Sequence, residues 1–344
     1  RCRISGKSSS GACRGDGMRE KPLAGGSPVS SRRPHRRRTR AVRGRCGSQT
    51  DPAAARSRRV ITVARLPVAL PFSVRPLLAT MRSHAVPGHE RHDVATGTHC
   101  IALRTAHGIA SAAVTLRADT GSVVARIDAP RRADIADVEA AVRRWLDLDA
   151  DPTVVDAALA ADPVLAPLVR ARPGLRVLGS TDWFTTAVQT ILGQQVSVAA
   201  AATFAGRLVA AFGDDAPGGL RCSPTPQRIA ALAPEDLRAA IGTTRSRANT
   251  LLVLARAVSD GLDPASASFS RDLLALPGIG PWTVDYLALR TGDRDAYPAG
   301  DLVLRRALEV GTAREATALA AQWQPWRAYA VAHLWAHATL NRHP

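Results

Sequence analysis

The segment from Leu273 to Arg306, LLALPGIGPWTVDYLALRTGDRDAYPAGDLVLRR, restricts the possible folds more than any other part of the chain. Leu276-Pro277-Gly278-Ile279-Gly280 separates two stretches with helical apolar spacing. Pro281 suits the first position of a helix, where a missing N–H costs no hydrogen bond. Two glycines beside a helix N-terminus let backbone N–H groups approach an anion without a Cβ in the way. Trp282 and Tyr286 stand at i and i+4, so both rings share a helix face. Asp301 opens a further helical pattern, DLVLRRAL, where it suits an N-cap. The segment therefore reads as two helices joined by a tight turn, with aromatic rings and a carboxylate close behind it.

LPGIGPWTVDYLALR resembles the helix-hairpin-helix of the base-excision DNA glycosylases, and the fuller match is to the DNA-3-methyladenine glycosylase II family. AGDLVLRRAL resembles the family's loop that ends in the catalytic aspartate, which puts that role on Asp301. The family often has two adjacent acidic residues there, and Gly300 stands in the first place. AVQTILGQQVSVAAA resembles the segment that fills the gap left by an extruded base, which puts Gln194 and Gln195 at that place. Gln195 stands where the family often has an apolar wedge. WQPWRAYAVAHLW resembles the last helix, with Trp335 on an aromatic of the base pocket. The similarity runs from about Leu66 to about Leu340.

The resemblance implies an α+β, mainly α fold, with helix-hairpin-helix glycosylase helices and a small N-terminal antiparallel sheet. It implies hydrolysis of the N-glycosidic bond of alkylated bases in double-stranded DNA, chiefly 3-methyladenine and also 7-methylguanine, by a monomer that needs no organic cofactor. Trp282, Tyr286 and Trp335 would line the pocket, because aromatic faces attract the positive charge of an N-alkylated purine. Backbone groups of Leu276, Gly278, Ile279 and Gly280 would hold a phosphate, often with a monovalent cation. Lyase-competent relatives carry a lysine just after the hairpin. Trp282 stands there, and the last lysine of the chain is Lys21, so an intact abasic product is expected.

Each of these residues has a plainer reading from the sequence alone: Gln194 and Gln195 as a polar turn, the rings as core, Asp301 as a cap. Two rival functions stand beside the enzyme. One is a DNA-binding helix-hairpin-helix module without catalysis. The other is the C-terminal part of a longer adaptive-response regulator, whose cysteine methyl acceptor and helix-turn-helix are not visible in residues 1–59.

Charge separates the chain into unequal parts. Residues 1–59 hold 17 of the 46 Lys and Arg and 3 of the 29 Asp and Glu, a net of +14 out of +17. The remainder is nearly balanced, so the total does not prove a basic DNA-binding face. The 1–59 segment, with RRPHRRRTR at its centre, has too few large apolar residues to offset chain entropy and reads as disordered. It is either a basic arm for phosphates or the product of a misassigned gene start. The five cysteines have no metal spacing, and none follows Cys222, which excludes a C-terminal four-cysteine iron–sulfur loop. Nothing suggests a disulfide framework, no apolar run approaches the ~20 residues of a membrane span, and no secretion signal is visible, so the expected place is the cytoplasm, on the nucleoid.

Residues 60–132 read as an N-terminal α+β domain. A helical pattern around Leu77 and Leu78 precedes three strand-like runs, Thr98–Thr105, Ile109–Arg117 and Ser122–Asp128, separated by turn residues. Residues 133–344 read as helical, with the hairpin at about 271–290. Asp134, Asp151-Pro152, Pro163, Pro226 and Pro234 mark helix starts, and Gly213, Gly242 and Gly261 mark ends. Further helices are expected over Thr181–Leu192, Val196–Phe212, Arg245–Ser259 and Trp326–Leu340. Arg245 and Arg247 either reach phosphates or are solvated surface.

Overall fold

A computed structural model of the chain describes residues 59–340; the expectations for residues 1–58 lie outside the described residues. The three expected runs form β3 (Thr98–Thr105), β4 (Gly108–Arg117) and β5 (Ser122–Ala129), an antiparallel meander. Alternation sets its inner face: Ala110, Ala112, Val114 and Leu116 on one strand, Val123, Ala125, Ile127 and Ala129 on the next. Two further strands extend it. β1 (Val60–Pro67) pairs antiparallel with β5, and β2 (Glu90–Asp93) with β3, giving the order β1-β5-β4-β3-β2. Arg59, just before β1, donates through Nε to Asp128 Oδ1 at 2.6 Å, which ties the end of the expected tail to β5.

Two helices cover the inner face. α1 (Val74–His84) contributes Leu77 and Met81, and α2 (Asp134–Trp145) contributes Val138, Ala141, Val142 and Trp145 to the same core. Small alanines on the sheet let these larger side chains approach closely. Asp134 does not cap α2. The N-cap is Ala133, and the Asp134 carboxylate accepts instead from Arg131 N–H at 3.0 Å and from the His107 ring at 2.9 Å. It ties the β3–β4 turn to the helix start.

The rest is helical, apart from one short hairpin of β6 (Asp214–Ala216) and β7 (Leu220–Cys222). Asp151 caps α3 (Pro152–Leu159) as its position suggests, whereas Pro163 precedes α4 (Ala166–Ala171) by a turn. Then come α5 (Trp183–Gly193), α6 (Val198–Phe212), α7 (Pro226–Ala230), α8 (Pro234–Ile241) and α9 (Arg245–Ser259). α10 (Phe269–Leu274) and α11 (Pro281–Thr291) flank the glycine-rich turn. α12 (Leu302–Ala307), α13 (Ala313–Ala320) and α14 (Arg327–Leu340) complete the described residues.

Two helical cores result. One gathers α5, α6, α9 and the hairpin around Ile191, Leu208, Leu251 and Leu287. The other gathers α3, α4, α12 and α14 around Leu159, Leu165, Leu304 and Tyr329. The β6–β7 hairpin ties the helices to the sheet: Leu220 and Cys222 bury against Ala102, and Arg104 donates to Ser223 O at 2.9 Å. The described residues belong to one compact unit.

Candidate active site

Between the two helical cores lies a cavity of about 450 Å³. Asp301, Trp282, Tyr286 and Trp335 all line it, together with one side of α1. Residues far apart in sequence are thus brought to one place by the packing of α11, α12 and α14.

Asp301 is the N-cap of α12: Oδ1 accepts from Val303 N–H at 2.9 Å and Leu304 N–H at 3.0 Å. The cap position and the cavity position therefore coexist in one residue. Both tryptophans donate to the same carboxylate, Trp282 Nε1 to Oδ2 at 3.2 Å and Trp335 Nε1 to Oδ1 at 3.3 Å. Sequence reasoning placed these rings around a base and did not anticipate their N–H groups on Asp301. Tryptophan at both positions, rather than phenylalanine, was the available signal. An ionised carboxylate only accepts, and four N–H donors suit that form. Gly300 leaves room for a larger residue: an added Cβ would touch only Trp282, at 3.7 Å. Its departure from the family's acidic residue is chemical and not steric.

Tyr286 stacks on Trp282, centroids 5.2 Å apart at 20°, and meets Trp335 at 6.0 Å and 50°. Arg290, one turn further along α11, donates through Nη1 to Tyr286 Oη at 2.7 Å and through Nη2 to Gly179 O at 3.0 Å. The i, i+4 spacing of Tyr286 and Arg290 was legible, but the reading passed over Arg290. It also passed over His84, at the end of α1, which lines the cavity from the N-terminal part of the chain.

The two glutamines part company in the loop between α5 and α6. Gln195 sits exposed at the tip with φ +56°, a left-handed conformation that costs a non-glycine residue about 1 kcal/mol or more. Gln194 turns inward, its Nε2 donating to Gly278 O at 3.0 Å and Thr283 Oγ1 at 3.3 Å. Its amide is engaged with the hairpin, which leaves Gln195 as the exposed member of the pair. Arg247 donates to the Gln194 carbonyl, so it is neither a free phosphate ligand nor simple solvated surface, whereas Arg245 is exposed.

Within the hairpin, Gly278 has φ +87°, and an added Cβ would lie 2.0 Å from Thr250 Oγ1, so no side chain fits. Ile279 is buried and its N–H is bonded to Leu276 O at 3.1 Å, while Gly280 is the N-cap of α11. The Leu276 and Gly278 carbonyls each keep a second lone pair, which is what a monovalent cation would use. Among the described residues, no group of three or more His, Cys, Asp or Glu could hold a metal ion, and no helix is long and apolar enough to cross a membrane. Cys222 is buried and its thiol pushed up to about 11, mainly by that burial, so it is a poor nucleophile.

The fold defines a helix-hairpin-helix base-excision protein. Residues 63–182 match the family described as the AlkA N-terminal domain, and residues 188–318 match the HhH-GPD superfamily base excision DNA repair protein. The DNA-3-methyladenine glycosylase 2 of Escherichia coli is 37% identical over 209 residues, 58% of this chain and 71% of that one. The chain belongs to the DNA-3-methyladenine glycosylase II family. The probable bifunctional transcriptional activator/DNA repair enzyme AlkA of Mycobacterium tuberculosis is 38% identical over 316 residues, covering 88% of this chain; the chain spans only 62% of that relative. The same fold is seen in the 3-methyladenine DNA-glycosylase from Archaeoglobus fulgidus, with TM-score 0.71 and 18% identity over 82% of this chain and 100% of that one.

Proposed function

We propose that the chain is a monofunctional DNA glycosylase that excises alkylated purines, chiefly 3-methyladenine and also 7-methylguanine, from double-stranded DNA. The observation that carries this reading is the Asp301 carboxylate, fixed by four N–H donors inside a cavity walled by three aromatic rings. The names of the relatives support the substrate class.

A base buried in a duplex must be flipped out, at a cost of a few kcal/mol that is least for a damaged pair. Gln195 at the loop tip fills the vacated space, and the hairpin grips the backbone without reading sequence. The extruded purine lies against Trp282, Tyr286 and Trp335, where stacking contributes about 1–3 kcal/mol. The C1′–N bond then breaks, its electron pair passing to the cationic base, which leaves neutral and needs little acid assistance. Water forms the new C1′–O bond and loses its proton towards Asp301. The carboxylate also stabilises the oxocarbenium-like sugar, a contribution of about 3–4 kcal/mol. Lysine is absent from residues 22–344, so the described residues offer no lysine amine to form a Schiff base with the sugar. The chain acts as a monomer on DNA in the cytoplasm.

The test is chromatography of bases released by the purified chain from methylated DNA, with strand integrity followed before and after alkali. Release of both purines, with strands intact until alkali is added, is expected. Salt-sensitive binding without release would replace the enzyme by a DNA-binding module, and breaks at neutral pH would remove the monofunctional assignment.

A further inference from the structure

His84 is the last residue of α1 and lines the cavity from the side opposite in sequence to the rings and Asp301. Its Nδ1 lies 3.0 Å from Thr80 O and 2.9 Å from Ser83 Oγ, and Ser83 Oγ itself donates to Thr80 O at 3.0 Å. A carbonyl oxygen only accepts, so Nδ1 carries the proton. The Nδ1 edge is thereby turned back on the helix, and Nε2 occupies the outer edge of the ring, with no hydrogen-bond partner among the described residues. Burial, and then the Arg290 charge, hold this histidine below its ordinary value, against a smaller opposing effect of Glu90. The neutral ring presents a lone pair.

Tyr286 is fixed in the complementary sense. Arginine has only donors, so the Tyr286 oxygen accepts from Arg290 Nη1 and its own proton is left for another partner. Beside the Asp301 carboxylate, the cavity therefore holds a preset neutral acceptor on α1 and a preset donor on α11.

We propose that His84 is a specificity-determining residue whose Nε2 accepts a hydrogen bond from an exocyclic amino group of the extruded purine. This rests on the glycosylase reading above. Alkylation makes the ring cationic and its amino protons stronger donors, so a neutral acceptor favours the damaged base over both its undamaged form and a deaminated one. A protonated histidine there would do the reverse.

The test uses three oligonucleotides carrying 3-methyladenine, 7-methylguanine or 7-methylhypoxanthine; the last two differ only in the 2-amino group. Single-turnover release is compared for the parent, His84→Leu and His84→Gln. The expected result for His84→Leu is a loss of about tenfold on an amino-bearing base, with 7-methylhypoxanthine spared. His84→Gln places an amide oxygen near the Nε2 position and should restore most of the loss. Loss on 3-methyladenine alone assigns the 6-amino group, and loss on 7-methylguanine alone assigns the 2-amino group. Ratios between bases on one preparation do not depend on its folded fraction. Equal loss on all three bases, or none, would overturn the inference alone. No release of any base by the parent would overturn the glycosylase reading and this inference with it.

Discussion

Asp301→Asn separates the two things that Asp301 does. Oδ1 accepts from Val303 N–H, Leu304 N–H and Trp335 Nε1, whereas Oδ2 accepts from Trp282 Nε1 only. Asparagine keeps an oxygen at the first position, and it ranks with aspartate as an N-cap, so α12 should still start in place. Its amide nitrogen then meets the Trp282 N–H, donor against donor. Leaving one such group unpaired costs about 1–2 kcal/mol, or about 2–8 °C in Tm for a chain of this size. The effect on chemistry is larger. A carboxylate about 4 Å from a cationic sugar at an effective dielectric constant of about 20 is worth about 4 kcal/mol, in line with the ~3–4 kcal/mol of fixed electrostatics elsewhere. Losing it slows bond breaking by about 10²–10³-fold. Single-turnover release of 3-methyladenine, measured beside thermal unfolding, reads both quantities. A variant that keeps more than about a tenth of the parent rate would leave Asp301 as a cap only. A variant whose lost activity merely follows lost folded protein would refute the separation itself.

Gly278→Ala should lower stability by about 2–5 kcal/mol, from left-handed strain together with overlap on Thr250 Oγ1 at 2.0 Å. Adding Thr250→Ala should recover about 1–3 kcal/mol in denaturant unfolding, and no recovery would place the cost elsewhere. Gln194→Ala removes the bonds to Gly278 and Thr283 and should weaken base extrusion more than DNA binding; an unchanged 2-aminopurine signal on binding would show that the bonds serve folding alone. His333 is fully buried and is pulled down from 6.5 to about 4, first by burial and then by the Arg172 charge. The unfolded chain therefore binds the proton first, so stability is full above pH 6.5 and falls as pH drops towards about 4, by up to about 3 kcal/mol. His333→Leu should flatten that slope, and an unchanged slope would assign it to another group.

The hairpin and α9 were legible because their ends are chemically marked. Thr244 and Gly261 bracket Arg245–Ser259, and Pro281 opens α11. β1 and β2 escaped the reading for opposite reasons. The outward residues of β1 include Ile61 and Val63, 57% and 62% exposed, so its alternation is blurred. ERHD in β2 is polar throughout and has no hydrophobic signal at all. Asp134 has the composition of a cap but sits one residue inside the helix, where its carboxylate accepts from Arg131 N–H and the His107 ring. At the site, helical spacing puts Trp282 and Tyr286 on one face, whereas their place at a pocket, like that of Trp335, follows only from the resemblance. His84 reaches the cavity because α1 folds back on the helices, a closure that no local pattern encodes.

The bond between Gln194 and the hairpin bears on how such a protein searches. Arg247 holds the carbonyl of Gln194, Gln194 holds Gly278, and Thr250 of the same helix as Arg247 packs under Gly278, which closes a ring of contacts around the exposed tip. Gln195, in its left-handed conformation, is the exposed residue that this ring surrounds. On the proposed gap-filling role of Gln195, a tip braced in this way would test each step of a duplex mechanically, without waiting for a loop to close. Dwell time at a site would then be set by how readily that base pair gives way, so that weakened pairs are sampled longest before any chemistry begins.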